Sequence, residues 1–125
     1  MSNKTYLGNV SRESRPFNLD VEKLRRANAK VTTATAYKAG DLLILSDSNV
    51  VTHATDEKTW NVVCGQDVTT QQATQMAADG IEIPIYFGGV FSIEAVRIAG
   101  EYLESSKYDA ARAKATLNKI EFSKV

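Results

Sequence analysis

His53 is the chain's one histidine and Cys64 its one cysteine, and a thiol beside an imidazole could in principle form a nucleophile and its base. Nothing in their spacing assembles it. Cys64 lies in Val62-Val63-Cys64-Gly65 and His53 follows Val50-Val51-Thr52. These are apolar, β-branched settings that favour a buried, inert thiol and a histidine on a strand surface. A single cysteine excludes an internal disulfide and a multi-cysteine metal site, and a single histidine excludes a cluster of imidazole ligands. Gly88-Gly89 reads as a turn, because neither GxxxxGK[ST] nor GxGxxG surrounds it. Lys23, Arg25, Arg26 and Lys30 make a basic cluster too small to specify nucleic acid. The expectation is a protein that binds rather than catalyses, with no cofactor and no metal.

The elements that position these residues begin with the stretch from Tyr37 to Asp67. The run Leu42-Leu43-Ile44-Leu45 does not alternate, so both of its faces should be buried. Ser46-Asp47-Ser48-Asn49 separates it from Val50-Val51-Thr52, and those four residue types bond nearby backbone and accept turn dihedrals. A central hairpin is expected, fed by a turn at Gly40 and followed by a third strand near 61–66. A polar loop over 55–60 leads to Trp60.

The 125 residues suffice for one domain with a real core. No apolar run approaches a membrane span and no charged-then-apolar leader opens the sequence. Net charge is zero, yet it is unevenly spread: residues 1–30 hold seven Lys or Arg against three Asp or Glu, residues 31–104 three against ten, and residues 105–125 five against two. This is either ordinary solvated surface or a sign that both basic ends share one face and meet an acidic partner.

Residues 1–19 set Tyr6, Leu7, Val10, Phe17 and Leu19 among polar residues, with Lys4, Arg12, Arg15 and Pro16, in no helical or strand period. They read as a flexible arm that orders on docking, or as a tail packed on its own domain. Residues 20–28 stay open, with Asp20 able to cap a short helix, and a strand is expected over 29–35. Val68 to Gly80 is expected to be an exposed loop, with at most one helical turn over 72–77. Ile81, Ile83, Ile85 and Phe87 alternate as a half-buried strand, and Pro84 on its other face predicts an edge or a bulge. Gly88-Gly89 should turn the chain into a second hairpin through Phe91, Ile93 and Ala95, although Ile93 to Leu103 also fits a helix. Ser106 to Asp109 has the shape of a capping box opening an alanine-rich helix, Asn118 can end it, and Ile120 to Val125 alternates as a last strand.

The order of KAGDLLIL, VVCGQDV, IEIPIYFGG, VFSIEAV and a closing helix with IEFSKV, from Val31 to Val125, resembles the head decoration proteins of tailed bacteriophages. That resemblance implies a mainly β (α+β) domain over 20–125, barrel or β-clip-like, with one C-terminal helix. It implies homotrimers on the outer surface of the expanded head at threefold and local threefold sites. There they bind the major capsid protein and stabilise the shell against packaged DNA, contacting neither nucleic acid nor membrane. The protein would be made in the host cytoplasm and end in the virion. The arm, with Tyr6, Leu7, Val10, Arg12, Arg15, Pro16, Phe17 and Leu19, would be the capsid-binding segment. A surface adhesin and a carrier-type β-domain are the alternatives. The second needs a lysine at a hairpin tip, where this chain has Ser46 to Asn49.

Overall fold

The computed structural model describes residues 18–123. The domain is mainly β, built as β1 (Arg25–Val31), β2 (Leu42–Leu45), β3 (Val50–His53), β4 (Val62–Cys64), α1 (Thr70–Asp79), β5 (Glu82–Ser92), β6 (Arg97–Ile98), β7 (Glu101–Tyr102), α2 (Tyr108–Leu117) and β8 (Ile120–Ser123). Short 3₁₀ turns at Val21–Lys23 and Ser105–Lys107 precede β1 and α2. The main sheet is mixed, in the order β1-β3-β2-β4-β5-β8. β1 also pairs with β5, so the pairings from β1 to β5 return to their start, with β8 attached to the far half of β5. β6 and β7 form a separate hairpin turning on Ala99 and Gly100, both at positive φ.

The central hairpin forms as its residues dictate. Ser46 donates its amide to Val50 O at 2.9 Å, and its hydroxyl receives the Val50 amide at 3.3 Å. Asn49 takes the left-handed turn position with φ 66°. Leu42 faces one core with Trp60, Val63 and Phe91, while Leu43 faces another with Val51, Cys64, Ile83 and Ile85. Two buried faces explain the unbroken apolar run. α1 covers the second core through Ala73; α2 covers the first through Ala111 and Ala115. Trp60 is fully buried, stacks on Phe122 at 5.3 Å and donates its indole N–H to Glu57 O at 3.0 Å.

Several expectations need correction. The described residues hold a second helix besides the expected C-terminal one: Val68 to Gly80 contains α1, opened by a true capping box in which Gln72 N donates to Thr69 Oγ1 at 3.1 Å and Thr69 N to Gln72 Oε1 at 2.9 Å. No such box opens α2, whose N-cap is Lys107 without a side-chain bond. The first strand runs over Arg25–Val31, ahead of the expected 29–35. Ile93 to Leu103 contains the β6–β7 hairpin rather than a helix.

β5 is neither an edge nor half of a glycine-turned hairpin. It runs unbroken through Gly88-Gly89, with β1 on one side and β4 then β8 on the other. Pro84 fits because its carbonyl accepts from Gly65 N at 3.0 Å, one residue beyond the last β4 pair, Cys64 with Ile85. A strand residue's amide and carbonyl face the same side, so the missing N–H falls where β4 has ended and costs no ladder bond. Opposite Arg25 and Arg26 the register skips Phe87, a bulge. That skip breaks the alternation: Ile83 and Ile85 are buried, but Phe87 is 48% exposed.

Candidate functional site

The chemistry-bearing side chains gather at the entrance to β2. Lys38 and Asp41 close a tight turn, Asp41 N donating to Lys38 O and Lys38 N to Asp41 Oδ2, both at 2.9 Å. Gly40 makes the turn possible at φ 102°. The Asp41 carboxyl is buried, and burial pushes its pKa above the ordinary carboxylate value against the pull of the Lys38 amide, His53 and Arg97. His53 Nδ1 lies 3.8 Å from Asp41 Oδ2, and its Nε2 is 2.7 Å from Ala36 O. A carbonyl only accepts, so Nε2 carries a hydrogen. The ring stacks on Tyr37 at 5.2 Å, and the Tyr37 hydroxyl donates to Val51 O at 2.6 Å. Arg97 donates to Ala39 O at 3.2 Å and to the Tyr102 hydroxyl at 2.7 Å.

The bonds in this cluster tie the loop over 32–41 to β3 and to the β6–β7 hairpin. Asp41 Oδ1 and His53 Nδ1 are buried without a hydrogen-bond partner among the described residues. The Cys64 thiol is not part of this cluster: it donates to Gln66 O at 3.1 Å, and β2 lies between β3 and β4. Burial pushes that thiol up to about 12, far from the thiolate that attack requires. Among the described residues no three His, Cys, Asp or Glu side chains gather as a metal site, and no helix is long and apolar enough to cross a membrane.

The better candidate is a surface. Of the expected arm residues, Tyr6, Leu7, Val10, Arg12, Arg15, Pro16 and Phe17 lie outside the described residues. Leu19 is half-buried and donates its amide to Val90 O at 2.9 Å, while Asn18 bridges to Phe91. The chain thus reaches the domain along the far half of β5. Beside this root a groove of about 480 Å³ is lined by Lys23, Arg112 and Lys119, with Gly89, Thr116 and Glu121. Lys23 precedes β1, Arg112 lies on α2 and Lys119 leads into β8, so the sheet brings cations from both ends of the sequence together. Arg112 Nε donates to Phe122 O at 3.4 Å, on the edge of β8 facing away from β5. Lys23 and Lys119 are exposed and have no ion-pair partner among the described residues.

Motif reasoning missed this groove because no two of its cations are neighbours in sequence. The signal that could have found it was the uneven charge, basic at the ends and acidic between.

No family model matches the chain, and no curated protein does. The geometry of the site therefore has to carry the functional reading.

Proposed function

We propose that this chain is a decoration protein of a tailed-phage head. It binds the outer surface of the expanded shell as a homotrimer and braces it without catalysis, and the circuit of strand pairings is its small barrel. The observation that carries the reading is the root of the arm: Leu19 joins the far half of β5 by a backbone bond beside a groove lined by Lys23, Arg112 and Lys119. A segment leaving a sheet there is well placed to extend that sheet against another protein. The stretches behind the resemblance support it, since KAGDLLIL leads into β2, VVCGQDV holds β4 and IEIPIYFGG forms most of β5 of one domain. The central hairpin tip, Ser46 to Asn49, offers no lysine for a carrier role.

The test is co-sedimentation with expanded, undecorated shells. The full chain should decorate them in threefold clusters, and a chain lacking residues 1–17 should lose attachment while melting at the same temperature. Full-length protein that stays in the supernatant would overturn the reading. A truncated protein that still fills the shell would move attachment to the body of the domain.

A further inference from the structure

The two ends of α2 lie at surfaces of opposite charge. Near its start, the β6–β7 hairpin and residues 55–57 frame a cleft of about 180 Å³ with Asp56, Glu101 and Glu104 on its walls, all exposed. The cleft's own cation, Lys107, is already engaged by Glu57 at 3.6 Å. Along the second half of α2 runs the larger groove with Lys23, Arg112 and Lys119. Acid near a helix start and base near its end suit the helix dipole, but that effect fades beyond the terminal turns. Lys23, Asp56 and Glu101 come from other elements and Arg112 from mid-helix, so the dipole does not account for them.

We propose that the acidic cleft of one copy receives the basic groove of a second copy, head to tail. The net charge of zero means whole molecules do not repel, while the two faces attract and fix orientation. Because the meeting patches differ, the contact is heterologous, and it closes into a ring where the rotation allows. The inference builds on the homotrimer proposed above by giving it an interface, but its test needs no shell.

Sedimentation velocity of the full chain should show association that weakens between about 20 mM and about 500 mM salt. Lys23→Glu with Lys119→Glu, and separately Glu101→Lys with Glu104→Lys, should each weaken association on the order of tenfold or more, with melting unchanged. Combining all four reversals should restore it, because the faces are then complementary again. Lys58→Glu with Lys114→Glu, the same change of charge where the 55–60 loop meets α2 away from the groove, should leave association as it was. A monomer at both salt concentrations, association untouched by either pair, or no recovery in the four-fold variant would each overturn the proposal. If the association passes while shells are not bound, only the decoration reading falls.

Discussion

Burial and ionisation oppose each other at Cys64, and the sign is fixed by which state holds the proton. The folded thiol keeps its proton up to about 12 against an ordinary value of 9.0. The native state therefore binds more protons than the unfolded chain across that window, and stability falls as pH rises through it, by about 4 kcal/mol over the full span. Cys64→Ala should cost about 1 kcal/mol at pH 7 through lost packing and then lose less than the wild type above pH 9. Denaturant midpoints at neutral and alkaline pH would show the two curves converging. Asp41 is also raised by burial, so its ionisation costs stability as pH rises past its unfolded value. Asp41→Asn keeps an acceptor for the Lys38 amide and should be at least as stable as the wild type at pH 7, with the added stability vanishing in acid. A large loss at pH 7 would mean that the charge on Asp41 holds His53 of β3 and Arg97 of β6 together.

Individual elements were legible where one local rule acted alone. The 46–49 turn follows from turn chemistry, β4 at Val62–Cys64 from a short apolar run buried throughout, and Ile120 to Ser123 from period-two alternation. α1 was hidden because its buried stripe is small, Ala73 with partly buried Met76 and Ala77, in a run otherwise rich in Thr and Gln. Its capping box at Thr69 and Gln72 was the readable sign, and Thr69→Ala should cost about 1 kcal/mol, measured by chemical denaturation. Gly88-Gly89 misled for a different reason, because a glycine pair marks close approach as readily as a turn. Gly89 sits at φ 146° with Phe91 and Leu24 filling the space a β-carbon would take, at 2.9 and 3.2 Å. Gly89→Ala should destabilise by about 2–4 kcal/mol through strain and overpacking together. Near-neutral behaviour would mean that Phe91 and Leu24 give way freely.

At the scale of the whole molecule, tertiary contact decided what local sequence left open. Whether the basic ends share a face depends on β1, β5, α2 and β8 meeting, and only the assembled sheet brings Lys23 beside Lys119. The Asp41–His53 cluster was equally out of reach, since His53 read only as a histidine on a strand surface and nothing local ties it to Asp41, twelve residues earlier. If the trimer reading holds, light scattering of the free protein at low salt should give a mass above one chain's 13.7 kDa, falling toward that value as salt is raised.

The circuit of strand pairings has a kinetic consequence. β1 must join both β3, some twenty residues later, through Lys30 with Val50, and β5, over fifty residues later, through Ala29 with Ile83. Neither contact is available to a short growing segment, and each needs a large loop to close before any burial rewards it. Refolding should therefore be slow for a chain of this size, in the millisecond-to-second range. Until β1 docks, the unpaired sides of β3 and β5 are open to another unfolded chain. Yield on refolding should fall with protein concentration even though the finished domain is compact. Stopped-flow refolding followed through the buried Trp60 would time that closure.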